Sequence, residues 1–296
     1  LTDNGLVARM AGIGPLAVAF SGGADSALVL AAAVRATGPN NVLAVTANSA
    51  SLAAAELKHA ETFARTLGVR HLAPATTELD NPRYAANGRD RCYFCKSTVL
   101  DTITAVAREH GLKAVATGTN ADDARDPHRP GIRAGDEIGV HTPLRDLGMT
   151  KADVREVSRS WGLSTWDKPA LPCLASRVRY GLEITPARLA RVERAEVAVR
   201  AWLDKAGTPS RDVRVRDLGD KARVELDPHL AGLPEIRAGL AELVRAAGFT
   251  GVELTEFRSG ALNHEQPVEQ VVPAGFDPRK RHAVPADEVV DQHDVQ

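Results

Sequence analysis

Residues 19–30 read AFSGGADSALVL, and the order of residue types in this stretch decides the fold. Residues 16–20 are a short apolar run, Ser21-Gly22-Gly23-Ala24-Asp25-Ser26 is a turn rich in glycine and hydroxyls, and an alanine, leucine and valine helix pattern follows. Strand, glycine turn, helix is the order in which backbone N–H groups can be aimed at an anion lying on a helix N-terminus. A phosphate is the expected guest. The Walker loop would need a Lys followed by Ser or Thr after its second glycine, and a dinucleotide site would need G-x-G-x-x-G; neither is present. Ser-Gly-Gly is also ordinary turn chemistry, and Asp25 suits a helix N-terminus by charge alone.

Outward from this stretch, apolar runs at 16–20, 42–47, 70–74 and 113–117 alternate with helix patterns at 25–36, 52–67 and 93–110. That rhythm predicts right-handed βαβ units and an α/β fold with a parallel twisted sheet and flanking helices. Ligands gather at the carboxyl ends of such strands, which would bring Ser21, residues 46–51 and residues 117–123 around one nucleotide. Residues 122–136, DDARDPHRPGIRAGD, read as a charged loop with proline and glycine. A helix is expected over 151–161, with Thr150 as N-cap and Asp153 as its N3 partner. Residues 164–181, STWDKPALPCLASRVRYG, carry two prolines around a cysteine and little periodicity, the mark of a long functional loop.

Near residue 185 a second, smaller α+β unit begins. Its pattern is α-β-β-α-β: a helix to about 206, strands at 213–217 and 223–226, a helix over 230–247 and a strand at 251–257. The expected division is a nucleotide domain over 1–165, a loop and second domain over 166–263, and a disordered polar tail over 264–296. The 296 residues suffice for two cores. A formal net charge of -1 does not favour nucleic acid as a partner, and no long apolar span or signal-peptide pattern points to a membrane. The expectation is a soluble cytoplasmic protein.

The sequence has three cysteines, Cys92, Cys95 and Cys173. An odd number gives no disulfide framework, and thiols of this kind bind metal, react, or sit inert in a core. Cys92 and Cys95 form a C-x-x-C at a helix start, but too late in the chain for a thioredoxin-type motif. A closed Cys₄ zinc site cannot be built from three cysteines, whereas three thiolates and one open iron suit a [4Fe-4S] cluster able to take an extra ligand such as sulfide.

S-G-G-x-D-S after an apolar strand resembles the PP-loop of the N-type ATP pyrophosphatases, which implies ATP cleaved between its α and β phosphates. Ser21 and Ser26 would then bond phosphate oxygens, and Asp25 would help hold Mg²⁺. The segments SGGADS, AVTANSASL, NGRDRCYFCK, GTNADDARDPHRPGIRA, TKADVREVSRSWGL, KPALPCLASRVRYG, VRVRDLGDKARVEL and FRSGALN, in this order over residues 1 to about 263, resemble the LarE family. Its members are ATP-dependent sulfur transferases of the PP-loop superfamily.

The resemblance implies adenylation of a carboxylate of pyridinium-3,5-biscarboxylic acid mononucleotide, attack by sulfur, and a thiocarboxylate leading to the nickel-pincer nucleotide of lactate racemase. It implies an ATP and Mg²⁺ site of Ser21, Gly22, Gly23, Asp25, Ser26, Thr46, Ser51, Gly118 and Asp123, with Asp122 close by. Ser176, Arg177, Arg214 and Arg216 match positions for the substrate phosphate, as guanidinium forks would suit. Sulfur comes in this family either from the cysteine matching Cys173, sacrificed to dehydroalanine, or from a [4Fe-4S] cluster. The presence of Cys92 and Cys95 beside Cys173 favours the cluster. A trimer-based hexamer is also implied.

Further expectations concern Glu196, which either nears a metal or, more in keeping with an Arg- and Glu-rich helix, pairs with Arg200 on the surface, and Lys96, which reaches phosphate or solvent. Thr117 stands where an acidic residue is expected before Gly118, and Asn48 where Asp is usual. Two rivals are a cluster-dependent tRNA thiolase, which would show a basic surface or added RNA module, and a non-catalytic adenine-nucleotide sensor.

Overall fold

A computed structural model describes residues 3–125 and 131–264; the expected tail from 265 onward and the middle of the 122–136 segment lie outside the described residues. The chain runs α1 (Asp3–Ile13), β1 (Leu16–Ala19), α2 (Ala24–Thr37), β2 (Val42–Val45), α3 (Ala54–Thr66) and β3 (Arg70–Leu72). It continues through α4 (Pro82–Ala85), α5 (Arg91–Glu109), β4 (Ala114–Thr117), α6 (Ala121–Arg125), α7 (Gly131–Ile138), α8 (Pro143–Asp146) and α9 (Lys151–Ser160). The four strands pair in parallel in the order β3-β2-β1-β4. β1 and β2, with sequences LAVA and VLAV, are apolar without alternation because helices cover both faces of the sheet.

α2 is buried on every side from Ser26 to Ala33, since it packs against the sheet, α1 and α9 together. Its unbroken run of Ala, Leu and Val is what such a position requires. The chain adds β2 and β3 on one side of β1 and then returns to add β4 on the other. The order therefore reverses beside β1, and a crevice opens at the carboxyl ends of β1 and β4, where the glycine turn lies.

Several features depart from the sequence reading. α1, which the sequence reading leaves without an element, packs against α2 and gives Leu6 and Met10 to the first core. The 122–136 segment is helical at both ends, in α6 and α7, instead of being one loop. Its Gly131 looks like a turn signal but serves a close contact: a Cβ there would lie 3.1 Å from the Cys92 carbonyl oxygen and 3.3 Å from Lys96 Cβ. The capping box expected at α9 is present, with Thr150 and Asp153 bonded reciprocally.

The second unit comprises α10 (Pro186–Lys205), β5 (Arg214–Asp217), β6 (Lys221–Leu226), α11 (Pro228–Ala231), α12 (Pro234–Ala246) and β7 (Gly251–Glu256). β6 pairs with β5 antiparallel and with β7 parallel. The helix expected over 230–247 is split, because Gly232 ends α11 and Pro234 can only begin α12. This unit's core includes Tyr84, Phe94 and Leu174 together with Leu189, Val199, Val215, Val224 and Leu240. Helices α4 and α5 thus pack into both units. Among the described residues, no helix is long and apolar enough to cross a membrane.

Candidate active site

The turn after β1 forms a small concave loop closed by its own hydroxyls. Ser26 Oγ donates to the Gly23 carbonyl at 3.1 Å, accepts from the Ser21 N–H at 3.2 Å and meets Ser21 Oγ at 3.1 Å. Gly23 is the N-cap of α2 and offers no side chain, so the first N–H groups of a buried helix remain available to an anion. Gly22 adopts φ 72°, where a side chain would be strained, while the space beside it would admit a Cβ at 3.4 Å from Ala60 of α3. Gly118, at the end of β4, closes the other wall. A Cβ on it would stand 2.6 Å from Ser26 N and 2.9 Å from the Asp25 carbonyl carbon. Loop and strand end fit only through that glycine.

Asp25 is half-buried at the first turn of α2. Its Oδ1 accepts from Asn120 Nδ2 at 3.1 Å and its Oδ2 from Lys151 Nζ at 2.5 Å. Asp123 turns back to cap the Asn120 amide at 3.2 Å, while Asp122 accepts from the Lys151 N–H at 2.8 Å. The two carboxylates therefore brace the crevice wall. On the far side, Lys168 donates to the Gly22 carbonyl at 3.0 Å and to Glu56 at 2.8 Å. Neither Lys151 nor Lys168 was singled out from sequence, since one looks like a cap neighbour and the other a loop lysine; only the fold brings them 126 and 146 residues back to the turn.

Thr46 and Ser51 lie beyond β2, at the same end of the sheet. Thr46 Oγ1 donates to the Phe20 carbonyl at 2.6 Å and lies 2.8 Å from His71 Nε2. With its proton engaged, Thr46 accepts, which places a hydrogen on His71 Nε2. Burial holds the His71 pKa below its ordinary value, against a weaker opposing pull from Glu61. Ser51 bonds the Tyr84 hydroxyl at 2.6 Å, and its carbonyl accepts from the Leu174 N–H at 2.8 Å. Ser51 is thus the hinge between the nucleotide crevice and the cysteine segment.

Cys92 and Cys95 occupy the first turn of α5, and Cys173 precedes a 3₁₀ turn at Leu174–Arg177. Cys92 and Cys173 are exposed and Cys95 is half-buried. Burial pushes the Cys95 thiol upward, with the neighbouring Cys173, Glu78 and Cys92 adding to the effect. Tyr84 is pushed up by burial and then by Cys173 and Cys95. Cys95 thus feels the charge of both other cysteines. Glu78, only 1% exposed, has an Oε2 with no hydrogen-bond partner among the described residues. Lys96, beside Cys95, is lowered by burial of its amine. No three His, Cys, Asp or Glu side chains among the described residues group closely enough to hold a single metal ion.

The arginines are not the solvated face that an Arg-rich strand suggests. Arg177, Arg214 and Arg216 are 3%, 2% and 5% exposed. Arg177 forks onto Glu196 at 2.9 and 3.3 Å and donates to the carbonyls of Pro172 and Cys173. Arg216 holds Glu225 at 2.8 Å and the Ser176 carbonyl at 3.1 Å. Arg214 donates to the Ala170 carbonyl at 2.7 Å, while its nearest carboxylate, Asp212, is 3.9 Å away. Burial, followed by the charges of Arg177 and Arg216, brings Arg214 down to about 10. Ser176, half-buried, donates to the Cys173 carbonyl at 2.7 Å. Together these groups clamp residues 170–177.

Glu196 corrects a sequence expectation. It does not pair with Arg200 at the surface; it is 8% exposed, bound to Arg177, and accepts from the Val215 N–H at 3.0 Å. Arg200 instead donates to the Val213 carbonyl at 3.2 Å. Helical spacing permitted the i,i+4 pair, but the strand β5 offered an orphan N–H and the cysteine segment a buried guanidinium, and these won.

A sequence model of the NAD synthase family matches residues 8–86, the portion carrying the glycine turn. The chain is 43% identical over 251 residues to an uncharacterized protein of Synechocystis sp., covering 83% of this chain and 91% of that one. It is 34% identical over 268 residues to the pyridinium-3,5-bisthiocarboxylic acid mononucleotide synthase of Lactiplantibacillus plantarum, covering 87% of this chain and 92% of the relative. An argininosuccinate synthase of Natronomonas pharaonis is 27% identical over 157 residues, covering 50% of this chain and 39% of its own length. The last match is confined to part of each protein, whereas the Lactiplantibacillus likeness spans both nearly end to end. This chain belongs to the LarE family of PP-loop proteins.

Proposed function

We propose that the protein is an ATP-dependent sulfur transferase that activates a carboxylate of pyridinium-3,5-biscarboxylic acid mononucleotide and converts it to a thiocarboxylate. The observation that carries this reading is that one segment, 168–177, is bonded both to the glycine turn and to the buried arginines while presenting Cys173 between them. The relative from Lactiplantibacillus, by its name, makes the bisthiocarboxylic acid mononucleotide.

In this reading the turn of Ser21, Gly22, Gly23 and Ser26 binds the departing pyrophosphate through N–H and hydroxyl groups. Asp25, once released from Lys151, and Asp123 offer oxygen ligands to Mg²⁺, and Lys151 then faces phosphate. A carboxylate oxygen is a poor leaving group, and forming an acyl adenylate lets a sulfur nucleophile displace AMP. Arg214, lacking a close carboxylate and crowded by two guanidiniums, is the group that a substrate phosphate would relieve most, with Ser176, Arg177 and Arg216 around it. Holding both substrates against one segment supplies the proximity that the transfer needs.

Cys92, Cys95 and Cys173 would hold a [4Fe-4S] cluster: thiolates are soft ligands suited to iron–sulfur centres, and Cys95 lies within electrostatic reach of both Cys92 and Cys173. When bound, the cluster would supply an open iron that carries the transferable sulfide, loaded from sulfide or a sulfur donor. A trimer-based hexamer belongs to the same proposal, and sedimentation of the purified protein reads it directly.

Iron and acid-labile sulfide are measured on anaerobically reconstituted protein, with Cys92→Ala, Cys95→Ala and Cys173→Ala in parallel. About four irons per chain, lost in each variant, is expected. Absence of iron, with dehydroalanine at position 173 after one turnover, would replace the cluster by a sacrificed cysteine. ATP binding without AMP and pyrophosphate release on addition of the pyridinium mononucleotide would leave only a nucleotide sensor.

A further inference from the structure

Lys168 lies five positions before Cys173 in the sequence, yet its ammonium is spent on the opposite side of the crevice. It is bonded to the Gly22 carbonyl at 3.0 Å and to Glu56 Oε2 at 2.8 Å, and its side chain is 12% exposed. Its own carbonyl accepts from Arg155 at 3.2 Å, so the backbone at this point is held as well. His59, one turn along α3 from Glu56, keeps a buried Nε2 without a partner among the described residues. The contact is therefore a packed one and no loose surface ion pair.

A trans peptide directs its C=O and N–H to opposite sides. With the Gly22 carbonyl fixed outward on Lys168, the Gly23 N–H of the same peptide is fixed inward, where it meets Ser21 Oγ at 3.4 Å within the concave side of the turn. An anion accepting from that N–H polarises the peptide and strengthens the carbonyl as an acceptor for the ammonium behind it. The same anion attracts the Lys168 charge directly. Beyond Lys168, the segment is held by Arg214 on Ala170, Arg177 on Pro172 and Cys173, and Ser51 on Leu174.

We propose that Lys168 is a positioning residue that links occupancy of the glycine turn to the order of the segment presenting Cys173. This rests on the turn taking the polyphosphate of ATP, and not on the identity of the acceptor or on how sulfur is stored. Linkage makes the effect reciprocal: whatever the anion adds to the order of the segment, Lys168 adds to the affinity for the anion.

Hydrogen–deuterium exchange on the full chain, with inorganic pyrophosphate and then ATP as ligands, reads the segment, and calorimetry reads the affinity. In the wild type, saturating pyrophosphate should slow exchange of peptides covering 168–176 several-fold. Lys168→Met, which keeps most of the apolar stem, should bind pyrophosphate about five-fold or more weakly and show no such slowing even at saturation. Lys168→Arg should restore a good part of both. If the Met variant does not fold by circular dichroism, Glu56→Gln, which leaves Lys168 in place but loosens it, should give a smaller slowing than wild type. Slowing that persists undiminished in the Met variant, or in the Gln variant where that one is used, overturns the proposal. So does a wild-type segment indifferent to bound pyrophosphate. A wild type that binds neither pyrophosphate nor ATP would sink the nucleotide reading itself, which is a separate outcome visible in the calorimetry.

Discussion

Gly118 shows how much one missing Cβ decides. The positions within 3 Å of that absent atom are backbone, in the first turn of a buried helix, and cannot swing aside as a side chain would. Gly118→Ala should therefore open the crevice between β4 and the glycine turn, lowering stability by about 1–3 kcal/mol as overpacking does and reducing AMP formation far more than the stability loss explains. Thermal unfolding and AMP release on the same preparation check it, and an active, wild-type-like variant would contradict the geometry. Glu196 is the opposite case, a residue whose charge matters because it is buried. Glu196→Ala leaves the buried Arg177 guanidinium without its carboxylate and the Val215 N–H without its acceptor, for an expected loss of about 3–5 kcal/mol, read from the urea midpoint. The strand pattern marked only the stretch 117–123 and the family resemblance singled out Gly118, whereas Glu196 was misread, because helix spacing says which residues are neighbours and not which face is covered.

At the scale of elements, the strand and helix alternation of the first half was legible, because the apolar runs are short and bounded by turn residues, and the first two lead directly into the long helices α2 and α3. The order of strands was not: nothing local in the fourth apolar run says that it returns to pair with β1 on the side opposite β2. The same holds for the pairing of Thr46 with His71, which exists only because β2 and β3 are adjacent. That pairing predicts a pH effect. The folded pKa of His71 lies below its unfolded value because burial disfavours the charged ring, so as pH falls below about 6.5 the unfolded chain takes up this proton first. Stability should fall with it. The urea midpoint of the wild type should drop between pH 7.5 and pH 5, and part of that drop should vanish in His71→Gln; an identical pH dependence in the two proteins would show that His71 protonates freely in the fold.

For the whole molecule, the question is whether the two units behave as one. Their separation near residue 165 is visible in sequence as a long proline-bearing segment, and a covalent boundary of that kind commonly marks independent folding. The packing argues otherwise. The second core takes Tyr84 and Phe94 from the first half of the chain, the Ile184 N–H bonds the Ala85 carbonyl at 2.8 Å, and Glu193 of α10 accepts from the Ala54 N–H at 2.7 Å at the start of α3. Asn87, fully buried at φ 57°, donates to the carbonyls of Arg179 and Leu182 at 2.9 Å each. Unfolding either unit would strip the other of core side chains and leave polar groups such as the buried Asn87 amide without partners, so unfolding is expected to be a single cooperative transition. Tryptophans supply the two probes: Trp161 packs against the first core under Arg35, and Trp202 packs in the second against Gly239. Variants keeping only one of these two, with the other tryptophans changed to Phe, should give coincident urea midpoints by fluorescence and by circular dichroism. Midpoints that separate would mean that the segment carrying Cys173 joins two independently stable bodies, and the order it gains on binding would then have to come from the ligand alone.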